Sequence, residues 1–501
     1  MENDTLLKEI RSETGASLLT KVQKDFIGLD TQYTIANGEK TRRIYLDSTA
    51  STLMMGLAYR TGESFLQHYA NTHSLMHFGA KIATKTYAWV HDKILDFVQA
   101  DQEHYTCFFT GSGTTAGMNR IARAFNHLQP KKDVVLVSIM EHHSNDLPHR
   151  KHGGHVIHIP VDTHESKMGC IDLDLLEHYL REYEGRVNYV SVTGISNVTG
   201  IINPINEVAK LTHHYGAYIV VDAAQLAAHV PIKMSGHEDP GMDVDALIFS
   251  GHKTYAPGSP GVVIARKDLM AKIEPEEVGG GMVERVFPEK YYVSNEFPER
   301  EEAGTPNILG AITLGTAIHV LDLIGMEKVL EEDMELTHYC LDEMLKLPQI
   351  VIYGETCMDT CPRAGTVSFN IKELNHGLVA AILNDYFNIA VRNECFCAHP
   401  YVEKMLELTH RLQIYEARAK EIMNWHTEPW MGMVRVSFGI YNTREDVDLF
   451  IEALKNILEN KSEYEKQYSI NEAGDYTHNS FIFSCKEYFN LSQMVQDELE
   501  I

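Results

Sequence analysis

The chain has 501 residues, with 44 Lys plus Arg against 70 Asp plus Glu, for a formal charge of −26. Hydrophobic residues at 44% and charged residues at 23% are the balance of a folded globular protein, which excludes disorder as the main state. So acidic a chain repels phosphate backbones and anionic lipid, and neither nucleic acid nor a membrane surface is expected as its partner.

No apolar run reaches the ~20 residues of a membrane span. The start, Met1-Glu-Asn-Asp-Thr-Leu-Leu-Lys, is too polar for a secretory signal. Eight cysteines are too sparse for a disulfide scaffold in so long a chain. A cytoplasmic protein with reduced thiols is the expectation.

From Cys107 to about Arg266, short β-rich runs alternate with helix-like stretches. Cys107–Thr110, Val134–Ser138, Tyr189–Thr193, Ala217–Asp222, Ala246–Ser250 and Gly261–Ala265 each read as a buried strand. Their near-continuous apolar character predicts a mostly parallel sheet covered on both faces. Asn206–Tyr215 reads as a helix closed by Gly216 in the left-handed conformation. In such βαβ folds ligands collect beyond the carboxyl ends of the strands. After Gly304-Thr-Pro-Asn307 the pattern turns helical over Ile308–Ile324 and Met326–Leu345. Strands are expected at Gly365–Asn370, Ile389–Arg392 and Met433–Phe438. A helix over Thr443–Leu458 opens on a capping box whose fourth residue is Asp446. The expected division is an N-terminal segment 1–45, a large α/β domain 46–330, a smaller α+β domain 331–460 and an acidic extension 461–501.

The densest chemical signal is Ser250-Gly-His-Lys253 at the end of a strand. An amine in a partly buried site loses its proton readily and forms a Schiff base with an aldehyde cofactor, while Ser250 and His252 offer donors to a phosphate. Asp222 closes the preceding strand, where a carboxylate suits a pyridinium nitrogen. The 31 residues from Asp222 to Lys253 leave room for one crossover and one strand, so both can face one mouth. Thr110-Gly-Ser-Gly-Thr-Thr-Ala-Gly117 follows a strand and precedes a helix-like run from Met118. Its Thr114 and Thr115 set hydroxyls and amides at a helix N-terminus, where phosphate is favoured. The glycine spacing fits neither the Walker nor the dinucleotide fingerprint. Glu141-His-His-Ser-Asn145 also follows a strand, and an imidazole there can stack on a planar ring. His149, His152, His155 and His158 lack metal-ligand spacing on a clear helix, and no metal is expected.

Phosphate cradle, histidine, aspartate and Ser-x-His-Lys, in this order and each after a strand, resemble the class V aminotransferase superfamily of pyridoxal 5'-phosphate (PLP) enzymes, fold type I. Within it the chain is most similar to the cysteine desulfurase and selenocysteine lyase group. The likeness runs from Tyr45-Leu-Asp-Ser-Thr-Ala-Ser51 to about residue 458, through Ala70-Asn-Thr-His73, Ser196-Asn-Val-Thr-Gly200, Asp222-Ala-Ala-Gln225, Gly279-Gly-Gly-Met282, Glu302-Ala-Gly-Thr-Pro-Asn307 and Arg435–Thr443. The resemblance implies a large domain with a seven-stranded sheet and a smaller α+β C-terminal domain. It implies Lys253 as the Schiff-base lysine, Asp222 as the pyridinium partner and His142 as the ring-stacking residue. Asn197 and Gln225 would bond the ring's phenolic side, and Thr114, Thr115, Ser250 and His252 the phosphate. Gly304 and Thr305 would reach the phosphate of a neighbouring subunit, implying a homodimer. Arg435 would clamp the carboxylate of a small amino-acid substrate, assisted by Arg392 and beside Asn197.

Aligned without gaps on the family's nucleophile loop, Ile389–Pro400 sets Cys397 at the attacking position, with a sulphur-acceptor protein as a further partner. The family's Thr-Gly-His-His is replaced here by Asn393-Glu-Cys-Phe396, and His-Arg-Gly by His73-Ser-Leu. Glu394 would raise the pKa of a nearby thiol, and Cys395 would serve as resolving thiol, redox partner or metal ligand. Cys357 and Cys361 form a further candidate thiol pair. Three readings stay open: desulfuration of cysteine or selenocysteine through Cys397; an aminotransferase, epimerase or C–S lyase with Cys397 incidental; and a non-catalytic sulphur carrier or scaffold docking through its tail.

Overall fold

The computed structural model describes residues 14–164, 167–420 and 431–499. Seven strands form the central sheet in the order Tyr105–Thr110, Gly261–Arg266, Ala246–Ser250, Tyr218–Asp222, Val187–Thr193, Val134–Ser138, His155–Ile159. Gly261–Arg266 runs antiparallel to both neighbours and every other pairing between these neighbours follows a parallel register. The expected mostly parallel, seven-stranded α/β sheet is therefore present. Alternate residues of one strand go to opposite faces: Val134 and Leu136 enter one apolar cluster, Val135 and Val137 another. Covering both faces is what requires the uninterrupted apolar runs.

The strand His155–Ile159 escapes a reading based on apolar runs. It lies at the sheet's edge with only Ile159 fully buried, so histidines are tolerated there. The helix expected from Met118 begins earlier, at Gly113, and Gly216 has φ +68, as its role as a helix stop requires.

The smaller unit has a four-stranded antiparallel sheet in the order Ile350–Ile352, Thr366–Ile371, Met433–Ser437, Arg392–Glu394. The expected single strand Ile389–Arg392 is in fact two. Ile389–Ala390 pairs in parallel with Ile44–Tyr45, and after Val391 the chain joins the four-stranded sheet instead. Arg444–Glu459 is a helix with a complete capping box, Thr443 and Asp446 bonding each other's backbone N–H.

Ile308–Ile324 is buried nearly all round, which explains its unbroken apolar sequence. No single helix among the described residues is long and apolar enough to cross a membrane; this helix and Met326–Leu345 pass such a test only as a pair bent by 82°. Beyond residue 460 the chain is folded: Phe483 and Tyr488 stack at 5.1 Å and both meet the ring of Tyr33 edge-on. The Tyr488 hydroxyl also accepts a bond from the Thr34 N–H at 2.9 Å.

The antiparallel strand is fitted closely to the helix from Gly113. A Cβ on Gly261 would lie 2.4 Å from the Gly113 carbonyl oxygen, with backbone on both sides. Gly261→Ala is expected to destabilise the fold by about 1–3 kcal/mol, the ordinary range for overpacking. Gly111→Ala, at a position with open space around it, should stay within about 0.5 kcal/mol. Urea unfolding of the two variants checks the contrast.

Candidate active site

The carboxyl ends of the strands deliver polar side chains into one cavity of about 250 Å3, lined among others by Thr115, His142, Asn197, Asp222, Lys253, Cys397 and Arg435. Asp222 is the last residue of its strand and stands in register with Thr193 on one side and Ile248 on the other. Lys253 follows the next strand on the short turn Gly251–Lys253. Burial pushes the Asp222 carboxyl up to about 6, opposed by a bond from the Ala224 N–H and by Lys253. Burial likewise lowers the Lys253 ammonium to about 8, opposed chiefly by Asp222.

At one end of the cavity the 16-residue helix Gly113–Leu128 opens on Ser112, which makes no side-chain cap, so its first N–H groups lack that partner. Around this N-terminus, Ser250 Oγ accepts from the Thr114 N–H at 2.7 Å and pairs with Thr114 Oγ1 at 2.8 Å. Thr115 Oγ1 meets Ser144 Oγ at 2.8 Å, and His252 Nδ1 lies 3.2 Å from Ser51 Oγ. Gly113 has φ +57, and a Cβ there would sit 2.5 Å from Ser250 Oγ. Only glycine permits so close an approach.

His142 caps the helix His143–His152, its Nδ1 accepting from the Ser144 N–H at 3.0 Å. Burial, then Lys253, lowers its pKa to about 3, so the imidazole is neutral with its proton on Nε2. The neighbouring Glu141 and Asn145 belong to a buried network instead. The Glu141 carboxyl accepts from Ser138 Oγ, from Asn145 Nδ2 at 2.6 Å and from the Thr193 N–H at 2.8 Å. His149 is fully buried between Tyr189 and Asn145, and no metal-binding cluster of His, Cys, Asp or Glu occurs among the described residues.

Gln225 Nε2 donates to the Thr49 carbonyl at 2.8 Å, and Asn197 Nδ2 to the Phe396 carbonyl at 2.8 Å. Arg435 lies 4.7 Å over the Phe396 ring, donates through Nη1 to the Asn197 carbonyl and through Nη2 to Asp47, and keeps Nε buried without a partner. Burial lowers its pKa to about 10. Arg392 is its register partner on the adjacent strand and also lines the cavity.

The loop carrying Cys397 is left-handed at Glu394, Phe396 and Cys397, with φ of +89, +51 and +55. Non-glycine residues persist there only when surrounding contacts over-determine them. Here the bond from Asn197 and a bond from the His143 N–H to the Cys397 carbonyl at 2.7 Å hold the loop. Cys397 is exposed, whereas Cys395 is buried with its thiol pushed up to about 12 by burial, then by Glu403 and Glu394. Glu394 thus bears on Cys395. His143 and His399 flank the loop, coplanar within 5° and joined by a 3.0 Å nitrogen–nitrogen hydrogen bond.

Gly304 and Thr305 do not line the cavity. Thr305 accepts from Asn71 Nδ2 at 3.3 Å, and further along the Asn71 segment Met76 is 89% exposed and Phe78 84% exposed. The Cys361 N–H donates to the Cys357 carbonyl at 3.0 Å, but Cys361 shares a surface cavity with Cys170 and not with Cys357. Asp47, Thr49, Ser112 and Phe396 lie inside motifs quoted from the sequence but were given no role there, since their parts depend on partners distant in the chain.

This donor set fits a flat, phosphorylated aldehyde with a basic ring nitrogen: a helix N-terminus without a cap from Ser112 and ringed by hydroxyls, a neutral imidazole, a buried carboxylate and a buried amine. A family profile described as "Aminotransferase class-V" matches residues 44–450. A probable cysteine desulfurase of Halalkalibacterium halodurans is 33% identical over 84% of this chain and 93% of its own. One from Synechocystis is 30% identical over 88% and 95%. The apo structure of a cysteine desulfurase from Thermococcus onnurineus superposes with a TM-score of 0.73 at 29% identity, covering 89% of this chain and 99% of that one. Architecture, cavity and relatives agree that the chain belongs to the class V aminotransferase family of PLP enzymes.

Proposed function

We propose that the chain is a cysteine desulfurase-type enzyme that transfers the sulphur of L-cysteine, or the selenium of L-selenocysteine, to Cys397 and releases alanine. The observation that carries this reading is a buried amine, a buried carboxylate and a cysteine on a strained, well-tethered loop lining one cavity, in a chain 33% identical to a probable cysteine desulfurase. When bound, PLP supplies an aldehyde for amine exchange and a ring that takes up charge from the substrate Cα.

The chain's residues supply the rest. Ser112, Thr114, Thr115, Ser250 and His252 hold the phosphate, His142 covers the ring, Asp222 keeps the ring nitrogen charged, and Gln225 and Asn197 flank the phenolic side. Arg435 receives the substrate carboxylate in a fork-to-fork pair, its unpartnered Nε being one available donor, and Arg392 adds charge from the next strand. Lys253, with its amine free, would move the substrate's Cα proton. The Cys397 thiolate attacks the substrate sulphur. An S–S bond forms, the S–Cβ bond breaks, and the electron pair stays with the carbon skeleton, which leaves protonated as alanine. A protein acceptor then takes the sulphur from this exposed loop.

The same reading includes a homodimer. Met76, Phe78, Leu75 and Tyr69 are apolar side chains that a monomer would leave wet, and Thr305, bonded to Asn71 of the same segment, would with Gly304 reach the partner's phosphate.

Cys397→Ser should retain the change in visible absorbance on adding L-cysteine yet form no protein persulfide, while Lys253→Ala should lose at least about 10²-fold in alanine release. Alanine, keto acid and persulfide measured together check both; keto acid without persulfide overturns the desulfurase reading.

Because only the neutral amine condenses with an aldehyde, cofactor capture by the cofactor-free chain should fall about tenfold per pH unit below the Lys253 value of about 8 and level off above it. Asp222 raises that value, so Asp222→Asn should shift the midpoint to lower pH. Stopped-flow absorbance against pH measures both. Phe78→Glu should yield monomers in sedimentation velocity with weakened PLP retention.

A further inference from the structure

Away from the cavity, two cysteines far apart in sequence come together. Cys170 lies in strand Lys167–Ile171, which pairs with Val161–His164 as a two-stranded ribbon on the larger unit. Cys361 follows the turn at 357–360 and leads into the smaller unit. Both residues line one surface cavity of about 350 Å3, and each thiol shifts the titration of the other. A side-chain carbon on the adjacent Gly169 would stand 3.8 Å from Cys361 Sγ, so the two backbones are already close. A disulfide needs an S–S distance of about 2.05 Å and Cα atoms about 4.4–6.8 Å apart, and the Cys361 thiol already lies against the residue preceding Cys170. Cys361 is 2% exposed and Cys170 half-buried, so only the second meets solvent readily. Its exposure makes Cys170 the sulphur that an oxidant in solution reaches first.

What lies beyond Cys361 connects the pair to the cavity. The Pro362 carbonyl accepts from the Ile202 N–H at 2.9 Å, and buried Arg363 donates from Nε to the Thr199 carbonyl at 2.7 Å. The Ala364 N–H donates to the Gly200 carbonyl at 2.9 Å. These bonds support the turn that carries Asn197, and Asn197 holds the loop of Cys397 through the Phe396 carbonyl. Cys170 Sγ approaches the Ile202 carbonyl of the same strip at 3.6 Å.

We propose that Cys170 and Cys361 are a redox couple that a peroxide closes into a disulfide, fastening the ribbon to the segment beneath the Asn197 turn. The Cys170 thiolate attacks one peroxide oxygen, the O–O bond breaks and a sulfenic acid remains. The Cys361 sulphur then displaces its oxygen as water. In sum, two thiols and one hydrogen peroxide give one disulfide and two waters, sulphur losing the two electrons that oxygen gains. A thiol reductant reverses the link by exchange.

The full-length, cofactor-loaded chain is treated with graded hydrogen peroxide, alkylated with N-ethylmaleimide, digested without reductant and mapped by mass spectrometry. The expected result is a cross-linked peptide joining Cys170 to Cys361, loss of alkylation at both residues, and restoration of both by dithiothreitol. Oxidation should also raise the urea midpoint of the wild-type chain, and Cys170→Ala should remove that rise. The map is read on the wild type, so a poorly folding variant leaves the test intact, and it does not depend on the reaction assigned to Cys397. Full alkylation of both residues while other cysteines oxidise, or linkage of either to Cys357, would overturn the proposal.

Discussion

A buried amine and a buried carboxylate facing one cavity form the constraint that the rest of the structure serves. Each is pushed toward its neutral form by loss of water, Lys253 down to about 8 and Asp222 up to about 6, and each is the other's main opposing charge or one of them. Between those values both keep their charges, in surroundings where an apolar pair would be cheaper to hold. Burial cores on both faces of the sheet keep the two strand ends fixed. The sheet is therefore more than a scaffold: its parallel register is what sets Asp222 one strand away from the turn of Lys253.

The second requirement is to bring side chains of the smaller unit over this pair. The turn of residues 196–200 does much of that. Gly200, with φ +73, lies so near the Ala364 and Thr366 carbonyls that a Cβ would approach both to 2.7 Å. The same turn receives Arg435 on its backbone and grips the loop of Cys397 with the Asn197 amide. Arg435 in turn covers Phe396 and meets Asp47. Charge, aromatic face and strained backbone thus restrain one another, and the thiol-bearing residue is held through its own and Phe396's backbone carbonyls.

Much of this was legible in the sequence because it follows from periodicity and chain order. Central strands read as unbroken apolar runs, Gly216 ended its helix, and Thr443 with Asp446 announced a cap. What escaped shares a cause: it depends on segments distant in sequence. His155–Ile159 looks polar because it is an edge. Ile389–Arg392 looks like one strand because nothing local says that two sheets divide it. The partner of Cys361 is nearly two hundred residues away, not the nearby Cys357, and Asp47 gains its meaning only from Arg435. The resemblance pointed to His142, which does line the cavity, but its service as a helix cap, which decides its tautomer, was not legible.

The short parallel pairing of Ile44–Tyr45 with Ile389–Ala390 gives the smaller unit a piece from near the beginning of the chain. Ile44 and Leu46 sit in its apolar core beside Val367, Phe369 and Val434. During synthesis at roughly 5–20 residues per second, that early strand emerges tens of seconds before its partner. Until then its apolar residues need a temporary shelter, from the growing α/β unit or from a chaperone. Translation speed, rather than equilibrium stability, would then govern the yield of correctly assembled chain.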